Sequence, residues 1–373
     1  TTLCRAPIRA HASIDTIAAG IIGGWIATRS SGMQSDKYGD IADITRGMRV
    51  VLPGKVVELR PLPSTSSGPS VREMILGSEG RLGVITEAWV HVHRIPENRE
   101  IIAYLFPNWG SAIQAMHAIS VSDAHPSVTR VSDANETAFS FSTQKASRGA
   151  KKAVQEGLFG FLEKRGWDMD KVCLSYVGYE GGSARVKADK AIVGRIVRKH
   201  GGIKLGKGPG ALYDQKKFDT PYIRDFLLDI GALADVSETA MPWSRLMEVY
   251  HRTMRAARQA FDSLGVRGYI MCHLSHSYHS GACLYFTFAF VPGTMDMDEQ
   301  LRRYWVVKKA IQQAFVDHGG TISHHHGVGT DHALWLEQDI SPAGVDLQVA
   351  LLQGVDPGAN LNPGTLLPAH REW

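Results

Sequence analysis

The run Ser323-His324-His325-His326-Gly327-Val328-Gly329 sets three consecutive imidazoles beside glycines, where the backbone can turn sharply or come close to a ligand. An unperturbed histidine titrates near neutral pH, so such a triplet can hold, give and take protons under working conditions. Two plainer uses compete, a metal-binding tract and a solvated loop. His273, His276 and His279 could add ligands to a metal site. Along a strand, however, a spacing of three puts neighbouring members on opposite faces. Cys4, Cys173, Cys272 and Cys283 fit neither a zinc knuckle nor a Cys-x-x-Cys redox pair. No metal is therefore expected, and the histidines read as proton-handling groups.

Two other motifs fail on context, and a third is absent. Residues 201–207 match Gly-x-x-x-x-Gly-Lys, but Gly208 stands where a phosphate loop needs Ser or Thr, and the run follows a helix. Gly206-x-Gly208-x-x-Ala211 imitates a dinucleotide fingerprint without the strand–turn–helix setting its mechanism requires. No Gly-x-Ser-x-Gly elbow is present, which argues against an α/β-type serine hydrolase.

The elements that must position these residues divide into two textures. Residues 1–95 alternate short apolar runs with turn signals such as Pro53-Gly54 and Ser67-Gly68-Pro69, and 48–58 and 83–94 have strand character. From Pro96 strands alternate with helices. Strands are expected at 101–106, 127–131, 173–180, 268–275 and 281–290, and helices at 109–121, 183–200, 243–264 and 297–318. A helix near 343–353 precedes a rigid Pro/Gly-rich loop at 356–364. The pattern implies an α+β protein whose second lobe carries an antiparallel sheet. On the strand 281–290, Cys283, Tyr285, Thr287 and Ala289 share one face.

A chain of 373 residues has room for two cores. Its 44% hydrophobic and 21% charged residues describe an ordinary globular protein. The net charge of +4 is too small to argue for nucleic acid, and no block of like charges stands out. The apolar stretch 14–27 is interrupted by Asp15 and is shorter than the roughly 20 residues a membrane-spanning helix needs. Reduced thiols and a cytoplasmic setting are expected.

Gly23-Gly24-Trp25-Ile26-Ala27-Thr28-Arg29-Ser30-Ser31-Gly32-Met33, Tyr38-Gly39-Asp40-Ile41-Ala42-Asp43 and Gly77-Ser78-Glu79-Gly80-Arg81-Leu82-Gly83-Val84-Ile85 resemble the alkyldihydroxyacetonephosphate synthase family of vanillyl-alcohol-oxidase-type flavoproteins. Tyr222-Ile223-Arg224-Asp225, Gly281-Ala282-Cys283-Leu284-Tyr285-Phe286 and the histidine run follow in the family's order, so the resemblance covers essentially the whole chain.

The resemblance implies a two-lobe FAD-binding fold with an antiparallel-sheet cap flanked by helices. Residues 1–95 would be the C-terminal part of the FAD domain, 96–335 the substrate or cap domain, and 336–373 a segment returning to the FAD domain. It assigns FAD contacts to Asp15, Thr16, Gly20, Ile21, Thr28, Arg29, Ser30 and Ser31, and to Glu79, Gly80, Arg81, Leu82, Gly83, Val84 and Ile85. It gives Arg224 the substrate phosphate and makes Tyr285 the acid/base. His324, His325 and His326 become proton shuttles, and Arg130 a support of the active site. Tyr285 and the triplet are expected to line one pocket.

The implied reaction exchanges the acyl group of acyldihydroxyacetone phosphate for a long-chain fatty alcohol through a flavin N5 adduct, with no net redox change. Splitting one difficult exchange into two steps is the logic of covalent catalysis. A homodimer with peripheral contact to a membrane surface is expected. An FAD oxidase or dehydrogenase of a 2-hydroxy acid is the alternative, and a truncated chain that binds lipid or a partner without catalysis is the third reading. Three departures bear on these implications. The family's pyrophosphate loop lies upstream of this sequence. Gly20 and Ile21 stand where eukaryotic enzymes carry Ser and Thr. His273 stands where animal enzymes carry arginine, which suggests a bacterial relative and bears on the substrate.

Overall fold

The computed structural model describes residues 8–9, 21–142, 150–216 and 223–373. Asp15, Thr16 and Gly20, assigned to FAD from the sequence, lie outside the described residues. The chain forms two compact units, one made of Thr1–Ile95, Ser237–Met241 and Lys308–Trp373, the other of Pro96–Val236 and Pro242–Val307.

The first unit is built on a three-stranded antiparallel sheet with Thr45–Leu52 between Lys55–Leu59 and Val84–Val90. The run 48–58 is thus a hairpin, folded at Pro53-Gly54, where Gly54 takes a φ of 71°. Met48, Val50 and Leu52 point inward by strict alternation. Met48 and Val50 share a core with Ile26, Leu82, Ile322, Trp335, Val345, Leu352 and Leu367. Burying one such leucine stabilises by about 1.5–3 kcal/mol, which is what fastens the C-terminal helix Pro342–Val355 to the early strands. Ser341 begins that helix, its hydroxyl accepting from the Gly344 amide at 3.3 Å.

The second unit carries most of a seven-stranded sheet. Its order is Leu233–Pro242, Gly281–Phe290, Gly268–Ser277, Val128–Ser132, Cys173–Gly181, Asn98–Phe106 and Ile203–Gly206. From Gly281–Phe290 onward every pair is antiparallel. Residues 173–180 are all buried, so the central strand is covered on both faces. The helices Trp109–Ser120 and Ser183–Lys199 lie against it, as does Ala134–Ser142. Phe286, Phe288 and Phe290 are buried while Tyr285, Thr287 and Ala289 are half-exposed, so the alternation read from the sequence orients this strand.

The grouping differs from the sequence boundaries in two places, the first being that residues 237–241 join the first unit. Residues 308–335, the histidine triplet included, also fall in the first unit, because Ile322 and Trp335 are buried in its core. Several helices were not legible, among them Ala134–Ser142, Ala150–Lys164 and Lys207–Lys216. Ala134–Ser142 is rich in Asn, Thr and Ser, which favour caps and turns over helix interiors. Lys207–Lys216 contains Gly208, Pro209 and Gly210 in its first turn. Gly210 is required there, since a Cβ would collide with the carbonyl of Ile101. Tertiary packing overrides local preference at that helix.

Candidate functional site

In the first unit the helix Ile22–Ala27 ends in Thr28, and Arg29 turns the chain with a φ of 51°. The Thr28 hydroxyl donates to the Gly24 carbonyl at 3.0 Å and lies 2.8 Å from the Ser30 hydroxyl. Arg29 reaches the Leu76 carbonyl and pairs with Glu73 at 2.7 Å. Glu79 also holds a left-handed backbone, with a φ of 49°, and its amide donates to the Ala27 carbonyl at 2.8 Å. Its carboxylate accepts from the Val328 and Gly329 amides at 2.6 and 2.8 Å, so this side chain is used to tie the 79–85 turn to the loop after the triplet. Burial pushes the Glu79 carboxyl up, and the two amides partly oppose the shift. Gly327 passes so close that a Cβ there would stand 2.8 Å from the Glu79 carboxylate. His332 is buried and donates from Nδ1 to the Gly327 carbonyl at 2.9 Å.

Arg81, 2% exposed, donates to the Thr365 carbonyl and pairs with Glu372 at 2.6 Å. Asn362 donates to the Glu79 carbonyl at 2.6 Å. Leu82 belongs to the core. Two of the residues assigned to the cofactor, Arg81 and Leu82, therefore spend their side chains inside the unit.

The histidine triplet is organised by a residue the sequence reading did not single out. Glu238, 1% exposed, accepts from the Ser323 hydroxyl at 2.8 Å and from the amides of His324, His325 and His326 at 2.9, 3.0 and 3.1 Å. Three successive amides pointing at one point form a nest for an anion, and here the protein fills it with its own carboxylate. Burial works against ionisation of Glu238, but the charges of His325, His326 and His324 outweigh it and hold the carboxyl well below its usual range. His325 Nδ1 stands 3.5 Å from the carboxylate. His324 Nδ1 and His325 Nδ1 approach to 3.0 Å, so one must donate and the other accept. Burial lowers the pKa of His324. The signal available in the sequence was Ser237-Glu238-Thr239, three buried polar residues in the middle of a strand.

In the second unit Tyr285 is the register partner of His273 and stacks on it, the ring centroids 4.8 Å apart and the planes 20° from parallel. His273 Nδ1 lies 2.8 Å from Glu136. Arg130 donates to Glu136 at 2.5 Å, and both its terminal nitrogens are within 3.1 Å of the His273 ring nitrogens. Ser132 adds a hydroxyl to the same carboxylate at 3.0 Å. Burial pushes Glu136 up, yet His273 and Arg130 more than offset it and leave the carboxyl at about 2. Burial and the neighbouring Arg130 charge lower the pKa of His273, and the Glu136 carboxylate partly opposes them. Glu136 was missed because it sits on the unforeseen helix.

Behind this group Asp133 accepts from Tyr250 at 3.0 Å and from the Glu136 amide at 2.8 Å. Burial raises its carboxyl to about 7. Arg224 is exposed on the helix Ile223–Asp229.

The surface of the first unit fits a planar ring with polar edges. The helix Ile22–Ala27 runs beside the strand Val84–Val90, with Gly23 against Ile85. Ile21, Ile22 and Val84 remain 76%, 38% and 60% exposed there. Trp25 Nε1 is buried without a hydrogen-bond partner among the described residues. An apolar surface with a few fixed polar groups is the usual lining of a cofactor site.

Comparison with known proteins places these features. Residues 95–366 match the C-terminal domain of FAD linked oxidases, and residues 9–60 an FAD binding domain. An alkyldihydroxyacetonephosphate synthase of Dictyostelium discoideum is 36% identical over 363 residues, which is 96% of this chain and 58% of that protein. A solved alkyldihydroxyacetonephosphate synthase superimposes with a TM-score of 0.76 at 32% identity, over 96% of this chain and 60% of the other. A 4-ethylphenol oxidase from Gulosibacter chungangensis shares the fold, with a TM-score of 0.65 at 14% identity over 94% of this chain and 71% of the other. The chain thus spans a little under three fifths of the length of the synthase from Dictyostelium.

Proposed function

This chain belongs to the FAD-linked oxidase family, and from that premise we propose that it acts as an FAD-dependent alkylglycerone-phosphate synthase. The reaction exchanges the acyl group of acyldihydroxyacetone phosphate for a long-chain alcohol. Support comes from the identity to synthases over nearly the whole chain, and the observation that carries the chemistry is the triplet wrapped on Glu238. FAD, when bound, supplies ring positions able to donate and accept electron pairs. The helix Ile22–Ala27, Thr28, Ser30 and the strand from Val84 would hold it.

The protein's own groups handle protons and phosphate. His324 and His325 share a proton between facing Nδ1 atoms, and the buried anion beneath them stabilises an added positive charge. Tyr285 holds a proton on a phenol whose ring is fixed by stacking on His273. Glu136 and Arg130 fix His273, so Arg130 acts on the phenol through the imidazole. Arg224, exposed and always charged, suits a phosphate through its two-pronged guanidinium.

The test is direct. Purified protein with FAD is given acyldihydroxyacetone phosphate and deuterated hexadecanol, and the products are read by mass spectrometry. Deuterated ether and released fatty acid in equal amounts, with the flavin oxidised at steady state, are expected. Flavin bleaching by a 2-hydroxy acid, without ether formation, would instead establish the oxidase reading.

A further inference from the structure

The helix Ser183–Lys199 and the strand Ile203–Gly206 gather an unusual charge. From Ser183 to Lys207 the sequence has eight lysines and arginines against one aspartate, a surplus of seven, whereas the whole chain carries only +4. The rest of the molecule is therefore net negative. Read along the sequence these charges are diluted by alanines, valines and glycines, so they form no block. The helix sorts them. Val186, Asp189, Val193 and Val197 are buried against the sheet, and Lys187, Lys190, Arg195 and Arg198 lie outside that stripe. Exposed Lys199 and Lys204 follow at its end.

The few nearby acids are already engaged. Arg185 is paired with Asp189, and Glu100 takes both Lys190 and Lys207. Among the described residues no carboxylate lies within ion-pair distance of Lys187, Arg195, Arg198, Lys199 or Lys204. The field is felt within the group: burial, then Lys207 and Lys204, lower the pKa of Lys190. Between helix and strand runs a groove of about 320 Å³. Its floor is apolar, from Tyr104, Val197 and Ile203, and its rim is cationic, from Lys190, Arg198 and Lys204.

We propose that this face docks on an anionic phospholipid bilayer, the rim cations meeting headgroup phosphates. The choice of a bilayer rests on the lipid substrates of the proposed function and on charge complementarity. Helical clusters of four to eight Lys or Arg are the usual electrostatic means of holding a protein to such a surface. A polynucleotide fits less well, because single-strand binding leans on exposed rings for stacking. The ring in this groove, Tyr104, is 2% exposed and bonded to Tyr179 at 2.8 Å. Among the described residues no helix is long and apolar enough to cross a membrane, so contact through this face is peripheral.

The experiment is vesicle co-sedimentation of the FAD-loaded protein, using phosphatidylcholine with and without phosphatidylglycerol. The face variant Arg195→Glu/Arg198→Glu/Lys204→Glu is compared with a control, Arg46→Glu/Lys55→Glu/Arg60→Glu, which has the same net charge. The wild type and the control should bind only the anionic vesicles and come off in about 1 M salt, where the screening length is roughly 3 Å. The face variant should bind roughly a hundredfold more weakly. Should it unfold, as judged by circular dichroism, the glutamine versions of the same three positions serve instead, with a smaller loss.

Equal loss in face variant and control, no loss in either, or equal binding to neutral vesicles overturns the proposal. Release by millimolar inorganic phosphate would make the groove a free-phosphate site, and tighter binding of a single-stranded oligonucleotide through the same residues would make it a nucleic-acid surface. Both outcomes also overturn it. Exchange activity on detergent-dispersed substrate separates the two readings. Active protein that ignores anionic vesicles loses the docking face and keeps the lipid reaction, whereas vesicle binding without exchange in any preparation loses the reaction and keeps the face.

Discussion

Glu238 in the first unit and Glu136 in the second are both buried, both beside histidine, and both held ionised against the cost of burial. Their partners differ in kind. Glu238 is held by three backbone amides and a serine hydroxyl, with imidazole charge nearby. Glu136 is held by side chains, Arg130, His273 and Ser132. A side-chain partner can be exchanged for an apolar residue, but a backbone amide cannot. The first carboxylate is thus a fixed part of how the triplet folds, while the second belongs to a replaceable ion cluster that sets the orientation of one ring.

The sharpest break of that comparison is Glu238→Ala. It leaves three amides and a hydroxyl buried without an acceptor, and we expect a loss of about 3–5 kcal/mol in denaturant unfolding. Glu238→Gln keeps the shape and some acceptors. It should cost less, yet it should still cut turnover, since the imidazoles lose their counter-charge. A neutral outcome for Glu238→Ala would mean the nest is not holding the loop.

Tyr285→Phe addresses the ring that the second cluster orients. The stacking surface remains and only the hydroxyl goes, so folding and FAD content should be unchanged while alkyl exchange falls roughly 10²–10⁴-fold. Near-normal turnover in this variant removes the acid/base assignment.

The replaceability argument has its own test. Glu136→Leu alone strands the Arg130 charge and should cost about 2–4 kcal/mol, whereas Arg130→Met/Glu136→Leu should recover most of that loss. No second substitution is expected to rescue Glu238→Ala. The pH dependence follows the same lines. A carboxyl whose folded pKa is depressed adds stability that is complete above its unfolded value and is lost as pH falls through the folded one. For Glu136 that window runs from about 4.5 down to about 2. Acid titration of Glu136→Gln should therefore be flatter in that range than the wild type.

Asp133→Asn carries the smallest expected effect and the opposite sign. Asparagine can still accept from the Glu136 amide at Oδ1 while its Nδ2 donates to the Tyr250 hydroxyl, which then accepts, and it removes a carboxylate whose pKa is raised from 3.8 to about 7. The aspartate is penalised increasingly as pH rises through that interval, fully above about 7, and not at all below about 3.8. The variant should gain about 1–2 kcal/mol above neutrality and nothing in acid, measured by unfolding at both ends.

Much of this was legible along the chain. The helices Ser183–Lys199 and Trp243–Ser263 and the strand Gly281–Phe290 lie within a residue or two of their expected bounds, because the periodicity of buried positions is a local property. The hairpin turn at Pro53-Gly54 was signalled by its residue types. Ala134–Ser142 and Lys207–Lys216 were not legible, since their formation depends on what covers them.

By itself the sequence determined the family, the two textures that meet at Pro96 and the face on which Tyr285 stands. Only the tertiary structure decided that the triplet belongs to the first unit, that Glu238, 85 residues before Ser323, closes its loop, and that scattered basic residues form one face. The physical reason is range. Turn chemistry and periodicity act between residues a few positions apart. A buried carboxylate is tolerable only where donors from distant segments converge on it, and no local pattern announces where that will be.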